Sequence, residues 1–201
     1  MRIRLIAATL AACLIGLSAW AQGTPPTRIR GTIASVSGQT MTVNSRDGQK
    51  LEIMLNDPLT VSTVTKVDLA SVAPGSYIGT ATRTLPGGTL QALEVLVFPE
   101  GMRGTAEGHF PWDLEPGSMM TNATVTGVVQ GTSGRELTLK FKDSSNKVVV
   151  PPDAPVVTLA PAQRSDLKPG ARVFLSASKN AEGKLAASRV TVEKDGVAPP
   201  M

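Results

Sequence analysis

Hydrophobic and polar residues alternate in short stretches along most of the chain. Ile29 and Ile33 fall on one side of the stretch 28–36, Met41 and Val43 share a side in 40–44, and Leu51, Ile53 and Leu55 recur at every second position in 50–55. A period of two is the mark of half-buried strands. Asp47-Gly48, between the second and third stretches, is a tight hairpin pair. A short strand around Val61 is predicted next. Asp68 then reads as the N-cap of one helical turn ending at Pro74-Gly75, and strands over 76–82 and 90–98 are joined through Pro86-Gly87-Gly88.

The same order recurs farther along. Strands are predicted over 125–130, 137–142 and 147–150, with Asp143-Ser144-Ser145-Asn146 as the turn between the last two. A short strand over 156–159, a turn from Asp166 to Gly170, and strands over 172–177 and 185–192 complete the series. Gly31 matches Gly127, Gly38 matches Gly134, Asp68 matches Asp166, Pro74-Gly75 matches Pro169-Gly170 and Gly88 matches Gly183. Landmarks kept in order at a nearly constant offset indicate a duplication. Three strands, a short helical connector and two strands is the element order of an OB-like barrel. The expected fold is therefore all-β: two tandem small OB-like five-stranded barrels joined by a packed central segment. A pair of open, sandwich-like sheets is the alternative. The expected boundaries are 1–21 for a signal peptide, 27–98 for the first barrel, 99–122 for the packed linker, 123–194 for the second barrel and 195–201 for a flexible tail.

The leader changes where the protein is expected to work. A basic start at Met1-Arg2-Ile3-Arg4 precedes an uncharged apolar run from Leu5 to Leu17, and Ala19-Trp20-Ala21 fits a small-x-small cleavage site. Export to the periplasm or beyond follows. Leu10-Ala11-Ala12-Cys13 also resembles a lipobox, so lipid anchoring at Cys13 is the minor alternative. No later apolar run is long enough to span a membrane as a helix. Cleavage after Ala21 removes Arg2 and Arg4 and no acid, leaving 18 basic against 16 acidic side chains and no cysteine. Near-neutral charge gives no steering toward nucleic acid. Tyr77, Phe98, Phe141 and Phe174 sit at strand positions suited to a core rather than to base stacking.

The Gly31-Thr32-Ile33 and Gly127-Val128-Val129 starts, the paired Pro-Gly turns and the leader resemble an exported bacterial family of unknown function with OB-like domains. The resemblance covers residues 27–194. Relatives with a linker similar to Gly108–Leu114 carry the label of metal ABC transporter permeases, and the family has no established catalytic residues to transfer.

Chemistry is concentrated between the two halves. Residues 99–124 hold the single His and the single Trp outside the leader. His109, Phe110, Trp112 and Asp113 are the candidate binding residues. Phe110, Trp112, Leu114, Met119 and Met120 also suit a staple between barrels. A copper or zinc site would draw on His109, Glu107, Asp113, Met102, Met119 and Met120, since imidazole with thioether or carboxylate suits those ions. One histidine and no Gly-x-Ser-x-Gly elbow argue against an enzyme. The expected function is noncatalytic binding to an envelope protein or another extracytoplasmic component, with no cofactor. A periplasmic metal-binding accessory protein is the alternative.

Overall fold

The computed structural model describes residues 26–132 and 134–200. The expected signal peptide, with Cys13, lies outside them. Thirteen strands carry the fold: β1 (Thr27–Ser37), β2 (Thr40–Ser45), β3 (Lys50–Lys66), β4 (Tyr77–Thr84), β5 (Leu90–Ala92), β6 (Val95–Val97), β7 (Gly108–Pro111), β8 (Met119–Gly131), β9 (Gly134–Phe141), β10 (Ser144–Val150), β11 (Val156–Pro161), β12 (Arg172–Lys179) and β13 (Leu185–Val192). Among the described residues the only helical pieces are three single 3-10 turns.

The strands predicted from alternation are present, but they close in an unexpected way. β1 pairs antiparallel with β2, β2 with β3, β12 with β1 and β13 with β12, and β13 returns parallel to β3. These five strands form a closed barrel whose first three come from one half of the sequence and whose last two come from the other. A second ring of pairings has the complementary make-up. β8, β9 and β10 form a meander, β4 pairs with β8, β5 with β4, and β5 returns parallel to β10. Pairing thus crosses the boundary expected between 27–98 and 123–194.

The core residues follow the rings, not the sequence halves. Ile29, Ile33, Met41, Val43, Ile53 and Leu55 are buried with Val173, Leu175, Val190 and Val192 in one cluster. Ile78, Ala92 and Val95 are buried with Val125, Leu137, Leu139 and Val148 in another. Burying a Val, Leu or Ile side chain stabilises by roughly 1.5–3 kcal/mol, so two shared cores hold the halves together firmly.

The crossing point is the length of β3. Sequence alternation predicts a strand ending at Leu55 and a separate one near Val61. Instead β3 runs unbroken for 17 residues and carries the chain out of its own ring. Its end pairs antiparallel with β11, Lys66 opposite Val157 and Ser62 opposite Pro161. Beyond the crossing, Leu69 and Val72 pack on the second core, whereas Ala162 and Leu167 pack on the first. Val64, Leu96 and Val157 form a small buried cluster, with Val197 against it. The tail expected to be flexible is therefore tied back at Val197, which also bonds in both directions with the Lys194 backbone.

Registers correct several landmark matches. In β1 a bulge separates Ile33 and Ser35, opposite Val43 and Thr42; in β8 it separates Val125 and Gly127, opposite Leu139 and Thr138. Val125 is thus the counterpart of Ile33, and Ala123, not Gly127, the counterpart of Gly31. The match slipped because the β8–β9 hairpin extends two pairs further than β1–β2, to Gly131 opposite Gly134. Asp68 does cap its turn, accepting from the Ala70 amide at 2.7 Å. Asp166 does not occupy that place: the N-cap is Gln163, whose backbone N–H donates to Asp166 at 2.8 Å. The turn expected over Asp143–Asn146 is tighter. Phe141 pairs with Ser144, so only Lys142 and Asp143 turn, Lys142 with φ +48°, and Asn146 lies within β10 opposite Leu139. The strand expected over 90–98 is broken at Leu93-Glu94 into β5 and β6.

Candidate functional site

The central segment packs, as its composition predicts, but it ends sooner than expected. Met119 and Met120 already belong to β8, opposite Thr82 and Ala81 of β4. Upstream, Arg103 pairs with Glu100 at 2.6 Å and donates to the Gly75 carbonyl at 2.9 Å. The Thr105 carbonyl accepts from the Tyr77 hydroxyl at 3.0 Å and from Asn122 at 3.2 Å. These bonds bring Gly108–Pro111 onto the edge of β8 as β7, with His109 opposite Thr121 and Phe110 opposite Met120.

His109 is a packed residue. Its Nδ1 lies 2.8 Å from Thr121 Oγ1 and 3.2 Å from the side-chain nitrogen of Asn146, and its ring stacks on Phe141 at 6.1 Å. An amide nitrogen facing Nδ1 makes that atom an acceptor and leaves the proton on Nε2. Burial lowers the imidazole pKa, which favours the neutral form. Thr121 is fully buried, so this contact offers no accessible nucleophile.

Trp112 and Asp113 attach the segment to the first barrel. The Arg28 guanidinium sits 4.0 Å over the Trp112 ring, and Arg30 lies 5.5 Å over Trp112 and 4.9 Å over Phe174. Phe110 and Phe174 flank the indole at 6.1 and 6.2 Å. Asp113 pairs with Arg30 at 3.0 Å and approaches Arg28 at 3.8 Å. Arg46 donates to the backbone carbonyls of Asp113 and Leu114 at 2.8 and 2.9 Å. The Arg30 side chain is only 10% exposed. Its Nε and Nη2 have no hydrogen-bond acceptor and face aromatic surface instead. Burial pulls this guanidinium below its ordinary pKa, and Asp113 opposes the shift.

Beside this attachment is an open cleft of about 390 Å³ at the mouth of the first barrel. Ile29, Leu51 and Leu185 form its floor, and Arg28, Arg30, Arg46 and Lys179 its cationic wall, against Asp47 and Asp113. Asp47 is held by Ser45 and by Gln49, and the Ser45 bond lowers its pKa. Four cations against two carboxylates leave the cleft basic.

Of the residues singled out from sequence, Asp113 lines this cleft, and Phe110 and Trp112 support it. His109 belongs to the second ring. Glu107 reaches the β9–β10 turn, accepting from the Lys142 amide at 2.8 Å. Met102 lies in the 3-10 turn, Met119 is half-buried in β8, and Met120 is buried there. The six proposed metal ligands are therefore divided among different parts of the wall. Among the described residues, no three His, Cys, Asp or Glu side chains gather where they could hold a metal. Sequence reasoning missed Arg28, Arg30, Arg46 and Lys179. The available signal was Arg28-Ile29-Arg30, two cations flanking a core residue on one strand.

The second ring hides another residue with unusual chemistry. Glu94, at the break between β5 and β6, is 0% exposed. Its Oε1 accepts from the Ala81 amide at 3.0 Å, and its Oε2 has no partner. Burial raises its pKa to about 7, against the smaller opposing pulls of the Ala81 bond and Arg30.

Comparison with protein-family models, with curated proteins and with solved structures finds no match to this chain.

Proposed function

We propose that this chain is an exported, noncatalytic binding protein of the bacterial envelope, built as two OB-like barrels whose final hairpins have been exchanged. Export rests on the leader. The OB-like reading is supported by the strand order in both rings, three antiparallel strands followed by a pair that closes parallel onto the third. The shared bulge position supports the duplication.

The observation that carries the binding reading is the basic cleft at the first mouth. It is concave, has an apolar floor and brings four cations together, the general form of a recognition site for an anionic group. The reading as noncatalytic is supported by the placement of the one imidazole, which touches Thr121 and Asn146 and has no carboxylate orienter among its hydrogen-bond partners. The test is calorimetric titration of residues 22–201 with polyglutamate, polygalacturonate and neutral dextran at two salt concentrations. Binding of at least one polyanion, weakened by salt and by Lys179→Glu, is expected. Equal binding of dextran, or no binding of either polyanion, contradicts the reading.

A further inference from the structure

The two rings differ at one place, and the difference suggests what the cleft receives. In the second ring, β8 residues Met119–Asn122 have β4 on one edge and β7 on the other. Their register counterparts in the first barrel are Thr27–Arg30. These have β12 on one edge, but pairing with β2 begins only at Gly31. Among the described residues no strand covers the second edge of Thr27–Arg30, where the Arg46 amide alone donates to the Arg30 carbonyl at 2.7 Å.

The side chains correspond as well. In the second ring His109 contacts Thr121, Asn146 and Phe141. The counterparts of these three, by register, are Ile29, Leu51 and Ser45, and all three line the open cleft. The position filled by His109 in one ring is therefore empty space in the other. The second ring shows the binding mode within the same molecule: a short extended segment adds to the edge and places one side chain in the mouth.

Building on the basic-cleft reading, we propose that the free edge of β1 at Thr27–Arg30 accepts an extended acidic peptide segment of a partner protein. The segment adds as an antiparallel strand, sets an apolar side chain opposite Ile29 over the cleft floor, and places Asp or Glu side chains on either side of it, on the face of Arg28 and Arg30. Main-chain bonds to an open edge supply affinity, and the pocket supplies the choice of side chain. The position opposite Ile29 is apolar because Leu51 and Leu185 line that side, and the flanking positions are acidic because the cleft lining carries Arg28, Arg30, Arg46 and Lys179 against only Asp47 and Asp113, the latter paired with Arg30. An imidazole fits the second mouth because Thr121 and Asn146 stand there in the places that Ile29 and Leu51 take in the first.

The test uses residues 22–201 and fluorescence anisotropy with three labelled peptides. One alternates Glu and Val, one alternates Lys and Val, and the third is the Glu–Val peptide with alternate backbone amides N-methylated. The Glu–Val peptide is expected to bind at least about tenfold more tightly than either other. Lys179→Glu, a change at an exposed position, is expected to weaken it by about tenfold, and hydrogen exchange at the Arg28 amide is expected to slow on binding. Equal binding of the N-methylated peptide overturns strand addition. Binding of polygalacturonate with no binding of Glu–Val overturns strand addition but leaves the basic cleft intact. Failure of both anions to bind overturns both readings.

Discussion

Thr121, bonded to His109 Nδ1 at 2.8 Å, is the register counterpart of Ile29, which floors an open cleft. Two equivalent mouths thus have opposite fates: one is filled by the chain's own β7, and the other is left open. His109 is accordingly a structural residue. His109→Ala is expected to lower unfolding free energy by about 1–2 kcal/mol through the lost bonds to Thr121 and Asn146 and the lost stacking on Phe141. Denaturant titration checks this. Peptide binding at the first mouth should be unchanged in the same variant.

Metal titration separates the structural role from a ligand role. Three of the four proposed ligands outside β8 are engaged elsewhere: Asp113 by Arg30, Glu107 by the Lys142 amide, His109 by Thr121. Calorimetry with Cu(I), Cu(II) and Zn(II) is expected to show no tight stoichiometric binding. Tight binding abolished by His109→Ala would restore the metal-accessory reading.

Two glycines matched by sequence should respond differently to substitution. A Cβ on Gly31 would lie 2.2 Å from the Asn44 carbonyl oxygen, a backbone atom of β2 next to its partner Ser45. A Cβ on Gly127 would meet only Thr138 side-chain atoms, at 3.3 Å and beyond. Gly31→Ala is expected to cost about 2–3 kcal/mol, as overpacking against backbone does, and Gly127→Ala under about 1 kcal/mol. Thermal unfolding of both variants measures the contrast.

Glu94 gives stability a pH dependence of unusual sign. Its pKa is raised in the folded protein, to about 7 from an ordinary 4.5, so the folded state holds its proton more tightly than the unfolded chain. The resulting stability is complete below about pH 4.5 and is lost as pH rises through about 7, a change of roughly 3 kcal/mol. Glu94→Gln should remove this slope and raise stability at pH 8. His109 acts oppositely: its lowered pKa gives stability above its ordinary value of 6.5 that is lost as pH falls through the lower folded value. Unfolding of the single variants across pH 4–8 separates the two.

Strand positions were legible in the sequence because a period of two is local. Met41 and Val43, or Leu51, Ile53 and Leu55, declare a buried face without reference to anything distant. The partners of those faces were not legible. Whether Ile29 meets Leu175 or Thr80 depends on where β3 stops, and nothing in Asn56-Asp57-Pro58 announces that the strand continues. The β8–β9 extension likewise shifted the Gly31–Gly127 match, because matching residues by type does not register two extra cross-strand pairs. The central segment was recognised as packed from Phe110 and Trp112. The cleft beside it was missed because Lys179 comes from the other half of the chain and reaches Arg28 only through the exchange.

That exchange is tested by cross-strand cysteines, which residues 22–201 lack. Thr32 lies opposite Arg172 across β1 and β12, and the counterpart of Arg172 in the other ring is Tyr77. Directly opposed strand residues lie within disulfide reach. In residues 22–201, the pair Thr32→Cys with Arg172→Cys is expected to oxidise completely to an intramolecular disulfide, and Thr32→Cys with Tyr77→Cys is expected to remain reduced. A disulfide in the second pair and none in the first would show that each half closes on itself, and would contradict the interleaved fold on which the open cleft depends.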